Sequence, residues 1–316
     1  MLDIARPLHK VEWDIIQSYA TRVRHLLIFD PFQPVDLSAI LTLCRPPDTY
    51  PLFPNLRSLI WNNNRSKALA FLRHLCTPQL RCLTFDLPNT ALWGPSEISA
   101  LIAAPPSCPA LKVITLPSTP LYPPSPVFSN MLLAWRHLEE VTCGEIDTSA
   151  FFHLAQQTTL RKLSFQLTPF ISNSLHTGQL SSHAFSRICE LDVRAADLPS
   201  LVELMQKSEM RPTVVCVRVN TSPTSWDIMA FFAFLTERHT GVKLQHISLG
   251  CQMTHSMIYE PPPPTDDPFD DASFHTGIYG NILMPLAQFR SIETLIIDVM
   301  CKVQLTDGNL SSLVST

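Results

Sequence analysis

The six residues LRSLIW at positions 56–61 contain the pattern on which the fold depends, with apolar side chains at the first, fourth and sixth positions. In an extended chain, residues two apart lie on the same face, so Leu59 and Trp61 share one side of a strand while Ser58 and Ile60 share the other. Because such a strand is apolar on one side only, it needs a second layer of structure packed against that side.

This six-residue frame returns ten times along the chain. Its first residues are Val23, Leu56, Leu80, Leu111, Leu138, Leu160, Ile188, Val214, Leu244 and Ile292. The mean interval is about thirty residues, which accommodates one strand and one helix with their connections, and repeats of this length are typical of solenoids. Since repeat arrays grow without a closed core, we expect one continuous repeat domain over residues 23–316.

The stretches between frames carry apolar residues at helical spacing, as in residues 150–157 and 227–237. Residues suited to capping a helix N-terminus precede them: Asp147 or Thr148 in the first case, and Ser225 in the second. Alternating strands and helices predict an α/β solenoid with right-handed connections. Parallel strands would line its concave side and helices its convex side, in about ten repeats.

The ends and one interruption of the array are also informative. Residues 1–22 form an N-terminal capping segment, in which we expect a helix with Trp13, Ile16 and Tyr19 near one face. Residues 251–288 contain PPPPTDDPFDD, which favours a mobile, acidic, polyproline-like loop. This insertion is either a tolerated surface loop or a docking site for a proline-recognition domain. After the tenth frame the chain stops before another helix is complete, so we expect a longer protein.

Composition limits the kinds of partner. The chain has 23 Lys and Arg against 27 Asp and Glu, so it lacks the bulk positive field that attracts nucleic acid. No apolar run is long enough for a signal peptide or a membrane span. Nine cysteines without a C-x-x-C pair indicate free thiols in a reducing compartment. We therefore expect a cytoplasmic or nuclear protein with no nucleic-acid or membrane partner.

Motifs that would indicate catalysis are missing from the sequence. The chain contains no H-E-x-x-H, G-x-S-x-G, P-loop or G-x-G-x-x-G motif, and its eight glycines offer no phosphate-binding loop. We therefore assign no catalytic, cofactor-binding or metal-binding residue and expect that the protein is not an enzyme.

Charged residues at strand positions facing away from the helices are candidates for binding a protein on the concave face. These candidates are Glu140, Lys162, Glu190, Asp192, Arg194 and Arg218. The alternative is that neighbouring strands neutralise one another through exposed ion pairs. A basic column directly after the first frame residue has the same ambiguity, because it could solvate the rim or bind an acidic ligand. It consists of Arg24, Arg57, Arg81, Lys112 and Arg161, and Glu139 interrupts it.

The ten frames resemble leucine-rich repeats of the longer strand–helix type found in ribonuclease-inhibitor-like horseshoes. Residues 12–26, EWDIIQSYATRVRHL, followed by units such as PNLRSL and PQLRCL, resemble the region after the F-box in fungal F-box/leucine-rich-repeat proteins. In that family the F-box binds the adaptor of a cullin-based ubiquitin ligase, and the repeats select the substrate.

The resemblance departs from the family in one respect, because only 22 residues precede the first frame, too few for an F-box. It therefore implies a non-catalytic scaffold that selects ubiquitin-ligase substrates, with adaptor binding only if a missing F-box exists. The alternative is a structural or inhibitory leucine-rich-repeat protein unrelated to ubiquitin transfer.

Overall fold

The computed structural model places strands and helices in alternation along two compact units, residues Met1–Phe165 and Gln166–Thr316. The described residues are 9–29, 51–62, 69, 71–85, 95–117, 126–176, 180–181, 183–239, 243–251, 278–289, 291–299 and 303–304.

The strands of the first unit are hydrogen-bonded side by side in chain order. They are β1 (His25–Phe29), β2 (Ser58–Asn62), β3 (Cys82–Phe85), β4 (Val113–Thr115), β5 (Glu140–Glu145) and β6 (Lys162–Gln166), whose last residue crosses the unit boundary. Strands β1 to β5 pair in parallel, with Ser58 opposite both His25 and Cys82. Equivalent frame positions therefore align across these strands.

Helices alternate with these strands. They are α1 (Lys10–Ala20), α2 (Leu72–Leu75), α3 (Pro95–Ile102), α4 (Ala104–Ser107), α5 (Pro126–Ala134) and α6 (Thr148–Ala155). Their apolar faces cover one side of the sheet, where Leu59, Trp61, Leu83 and Ile114 are fully buried. Burial of this apolar area from water supplies the main force that holds each helix to its strand.

The second unit repeats this arrangement. Its strands β7 (Glu190–Ala195), β8 (Val214–Val219), β9 (His246–Cys251) and β11 (Thr294–Asp298) are neighbours in that order, and β10 (Ile278–Tyr279) pairs with β12 (Val303–Gln304). Its helices are α7 (Pro169–His176), α8 (Leu198–Gln206), α9 (Ser225–Arg238) and a 3-10 helix (Gly280–Gln288). In both units, parallel strands alternate with helices, which confirms the predicted α/β repeat fold.

The frame starting at Val214 is wrong by two residues. Strand β8 aligns Val214 with Glu190 and His246, so the first apolar position of this repeat is the buried Pro212. The sequence VVCVRV has valines at alternating and adjacent positions and fits the frame in two registers. A two-residue slip keeps the same side chains buried and changes only their neighbours across the sheet, so burial alone does not select the register. Pairing with the neighbouring strands selects it.

Two of the predicted helix starts can be compared with the structure. Asp147 caps α6, since its carboxylate accepts a hydrogen bond from the Ala150 N–H at 2.8 Å. The prediction at Ser225 is wrong by one residue, because Thr224 caps α9 and exchanges hydrogen bonds with Asp227. Either hydroxyl could serve as a cap, and the reciprocal bonds with a residue three positions later favour Thr224.

The predicted capping helix is present as α1. Trp13 is buried and Ile16 is half-buried. Tyr19 is 61% exposed, contrary to its expected place on the covered face, and the Arg22 guanidinium lies 5.3 Å from its ring centre. An aromatic ring with a cation over its face can remain in water at low cost, which explains its position.

The predicted loop at residues 251–288 is only partly described, because residues 252–277, including PPPPTDDPFDD, lie outside the described part of the chain. Its final residues form the 3-10 helix, which corrects the prediction of a loop there. Leu283 and Leu286 are buried, and the Thr236 hydroxyl of α9 donates to the Pro285 carbonyl at 2.9 Å. Spacing of three between these leucines suits a 3-10 turn packed against α9.

Side-chain hydroxyls bind backbone carbonyls at the start of several repeats, where no helix or strand bond is available. The pairs are Thr77 with Leu56, Thr159 with Leu138, and Ser291 with Leu244, at 2.9–3.1 Å. In each pair the hydroxyl belongs to the next repeat along the chain, so it ties successive repeats together.

Gln157 makes the most extensive of these ties. Its amide oxygen accepts from the Leu138 N–H at 3.0 Å, and its amide nitrogen donates to the Trp135 carbonyl at 2.9 Å. The Gln157 side chain is buried, and the Trp135 carbonyl also contacts His153 Nε2 at 2.8 Å. Gln157 thereby fixes the segment that leads into β5.

We expect Gln157→Leu to lower the free energy of unfolding by about 1–3 kcal/mol, because the Leu138 N–H loses its partner. The Trp135 carbonyl keeps its contact with His153 Nε2 at 2.8 Å. Gln156→Leu provides the matched control, since Gln156 is adjacent and exposed. Its effect should stay within about 0.5 kcal/mol. Urea denaturation of both variants measures the difference, and equal stabilities would contradict this role of Gln157.

His239 holds the end of α9 in the second unit. Its Nδ1 lies 2.9 Å from the Leu235 carbonyl and its Nε2 lies 3.1 Å from the Pro212 carbonyl. A neutral imidazole has one N–H and donates to one of these carbonyls. Burial lowers the pKa of His239, the two carbonyls oppose this shift, and nearby Arg211 adds to the lowering.

This lowered pKa predicts how stability depends on pH. The unfolded chain binds the proton more readily than the folded chain, so the stability contributed by neutral His239 is complete above pH of about 6.5 and falls as pH decreases. We expect His239→Gln to reduce the loss of unfolding free energy between neutral and mildly acidic pH. His137→Gln, at an exposed histidine, should leave the parent slope unchanged. Chemical denaturation across this pH range tests both, and equal slopes for parent and His239→Gln would refute the assignment.

Candidate binding face

Alternate residues of the strands form a face that the described helices do not cover, and we call it the open face. On β2, Leu59 and Trp61 are fully buried, whereas Ser58 is half-buried and Ile60 is 39% exposed. The same alternation occurs on β6, β7 and β8. The predicted binding residues can therefore be placed on the open face of each unit.

In the first unit, the side chains on the open face change from apolar on β1 and β2 to hydroxyl-bearing on β3, β4 and β5. Leu27 and Ile60 lie opposite each other, and Leu27 is 60% exposed. Next to Ile60 runs a row of hydroxyl side chains in register, Thr84, Thr115 and Thr142. An exposed apolar pair beside small hydroxyl groups provides area for van der Waals contact without a large desolvation cost.

The predicted residues Glu140 and Lys162 begin β5 and β6 of this unit. The backbone bond from the Lys162 N–H to the Glu139 carbonyl, 3.1 Å long, places Lys162 beside Glu140.

Burial and the Glu140 carboxylate raise the pKa of the Cys82 thiol, while Arg81 opposes the shift. Cys82 therefore stays protonated at neutral pH and is a poor nucleophile.

In the second unit, strands β7 and β8 bring together the other four predicted residues. Asp192 and Arg194 are half-buried on β7, Glu190 is exposed, and Arg218 lies on β8. Arg218 Nη2 is 3.7 Å from Asp192 Oδ2, with both side chains about one-third exposed. This contact matches the alternative of mutual neutralisation for that pair, and at such exposure it contributes little stability.

The corrected register of β8 changes the neighbours of Arg218. Arg218 lies directly opposite Arg194, whereas Asp192 lies opposite Cys216 and reaches Arg218 diagonally. The two arginine side chains thus extend from adjacent strands on one face of the sheet, and the backbones of these strands are roughly 5 Å apart. Two arginine side chains on adjacent strands give this end of β7 and β8 a local positive charge, which favours binding of an anionic group.

A glycine widens the space beside these arginines. Gly250 of β9 lies opposite Arg218, and Asp298 of β11 lies opposite Gly250. A Cβ atom at Gly250 would have its nearest neighbours at 3.8 Å, the Asp298 carbonyl oxygen, and 4.0 Å, the Val217 carbonyl oxygen. Within the part of the chain that the structure describes, the open face therefore has an unfilled position between the side chains of Arg218 and Asp298. Roughly 10 Å of sheet separate these two residues.

The six-residue frame also predicts that Gly250 and Asp298 share this face, because each directly follows the last apolar position of its frame. The frame predicted which residues share a face, but the two-residue error on β8 put Arg218 beside Asp192 instead of Arg194. The signal that could have corrected it is Pro212, which supplies an apolar first position when the frame starts there.

The described part of the chain contains no group of three His, Cys, Asp or Glu residues that could hold a metal ion. Its described helices are also too short or too polar to cross a membrane. The cysteines with described surroundings are free thiols, and burial raises the pKa of Cys143 to about 12.

The described residues define an α/β repeat protein, and in each unit its strands present one face that the described helices do not cover. No protein-family profile matches the chain. Comparison with curated proteins likewise finds no match.

Proposed function

We propose that the chain is a non-catalytic scaffold that binds a protein partner on its open face and selects substrates for an F-box-type ubiquitin ligase. The observation that supports binding most directly is the row Arg194, Arg218, Gly250 and Asp298, which lies in register across four strands. The ubiquitin part rests on the sequence resemblance at residues 12–26.

The row suits a protein ligand for physical reasons. The guanidinium groups of Arg194 and Arg218 can each form a bidentate pair with a carboxylate, while Asp298 attracts a cationic side chain of the same partner. Complementary charges increase the association rate and select the orientation of the partner more than they increase affinity.

The affinity would come from surface that excludes water around these charges. Gly250 admits a protruding side chain of the partner, and in the first unit Leu27 and Ile60 offer exposed apolar area. Parallel strands fix the backbone of these residues before binding. Binding therefore costs the scaffold little conformational entropy.

We expect the double variant Asp192→Arg with Arg194→Glu to lose partner binding while its thermal midpoint stays within a few degrees of the parent value. Net charge is unchanged, so a loss reflects the arrangement of charges instead of their sum. The partner is first identified by crosslinking to the parent chain, and its affinity is then measured with purified proteins.

Gly250→Leu supplies a second variant that does not alter charge. The ordinary contact distances around its Cβ predict a folded protein whose occupied gap excludes the partner. Gln206→Leu, on the exposed side of α8, is the control for added apolar surface. Parent-like affinity of both open-face variants would reject this face as the binding site.

The ubiquitin proposal has its own test, which uses the turnover of the crosslinked partner in cells. Deleting the gene for this chain should lengthen the half-life of a ubiquitin-ligase substrate, measured by a translation-block chase. Re-expression of the parent should restore turnover, and re-expression of the charge-swapped variant should not. A partner that binds tightly but whose half-life is unchanged by deletion would favour the alternative, an inhibitory or structural repeat protein.

A further inference from the structure

The residue immediately before each strand of the first unit forms a second surface, separate from the open face. Five of these six positions are cationic, and we call them the cationic row. Its members are Arg24, Arg57, Arg81, Lys112 and Arg161, with Glu139 between the last two. The row lies at the edge of the sheet where the strands begin.

Backbone hydrogen bonds hold the row in register. The N–H of Arg57 donates to the Arg24 carbonyl at 2.8 Å, that of Arg81 donates to the Arg57 carbonyl at 2.8 Å, and that of Lys112 donates to the Arg81 carbonyl at 2.9 Å. The same bonds continue through Glu139 to Arg161 at 2.7 and 2.8 Å. The side chains therefore start from neighbouring strands roughly 5 Å apart.

One end of the row already holds a carboxylate. Lys112 Nζ lies 2.5 Å from Glu139 Oε1, and both side chains are partly exposed. Within the described part of the chain, Arg24, Arg57 and Arg81 lie in no ion pair, and all three are exposed. Three adjacent guanidinium groups thus remain available to an anion beside a site where the row binds a carboxylate.

The repeat fold does not require cations at this position. In the second unit, the equivalent ladder of backbone bonds runs through Cys189, Thr213, Gln245 and Glu293. None of these four is basic, yet their bonds of 2.8 Å match those of the first unit. Like charges on neighbouring strands repel, so the cationic row costs stability that a bound anion would restore.

We propose that Arg24, Arg57 and Arg81 bind an acidic, extended peptide segment of a partner protein along the strand-entry edge of the first unit. The three residues span two strand intervals, roughly 10 Å, which an extended peptide covers with about three residues. Carboxylates fit because Glu139 occupies the same row with Lys112. A nucleic-acid partner is less suitable, since the chain carries a net charge of -4 and its second unit has no equivalent row.

The test measures fluorescence anisotropy of a labelled peptide that alternates Asp and Ser, titrated with the full chain at low ionic strength. An otherwise identical peptide with Asn in place of Asp serves as the uncharged probe. The double variant Arg57→Gln with Arg81→Gln should bind the Asp peptide about tenfold more weakly than the parent. The control Arg187→Gln with Arg211→Gln removes the same charge from exposed positions of the second unit and should bind like the parent.

A second readout is the thermal midpoint of unfolding. Removing two like charges should leave the thermal midpoint unchanged or slightly higher, and the Asp peptide should raise the midpoint of the parent more than that of the double variant. If the double variant does not fold, the single variant Arg24→Gln replaces it and should bind the Asp peptide more weakly than the parent. The preference of the parent for the Asp peptide over the Asn peptide must also weaken as salt increases.

Several outcomes would overturn the proposal. These are equal affinity for Asp and Asn peptides, equal loss in the control variant, or no binding of the Asp peptide at low salt. Tighter binding of oligothymidylate or of phosphatidylserine vesicles, abolished by the same double variant, would assign the row to nucleic acid or to a membrane surface instead. The open-face proposal is tested by other residues and is unaffected by any of these results.

Discussion

One constraint governs both the core and the surfaces of this protein, namely the in-register pairing of parallel strands that are buried on one side only. Backbone bonds such as Arg57 N–H to Arg24 carbonyl align each repeat with its neighbour within a unit. Alignment stacks Leu59 and Leu83 in the core. The same alignment also turns every other strand position into a row across the sheet, so surface charges acquire neighbours that are distant in sequence.

Polar side chains maintain this alignment where the chain leaves its regular elements. Gln157 and Thr159 bind backbone groups of the preceding repeat, and His239 connects the end of α9 to the Pro212 carbonyl. Such bonds are specific because an unpaired group at these buried positions would have no access to water. The repeats are therefore held by apolar burial, whereas their register and the geometry of the proposed binding surfaces depend on a few polar contacts.

Two surfaces result, and they differ in chemistry. The open face combines Arg194, Arg218 and Asp298 around the gap at Gly250, which suits a folded protein with both signs of charge. The cationic row carries only positive charge at its free end, which suits an acidic extended segment.

The sequence by itself determined the repeat, the face of most strands and the α6 cap, because side-chain alternation and capping are local properties of the chain. It also placed all six candidate charges at strand positions. It could not determine which register β8 adopts, since Val214, Val215, Val217 and Val219 fit two, nor that residues 280–288 form a helix against α9. Only the tertiary structure decided these points and set Arg218 beside Arg194 and Gly250, because pairing between strands depends on packing that no single segment contains.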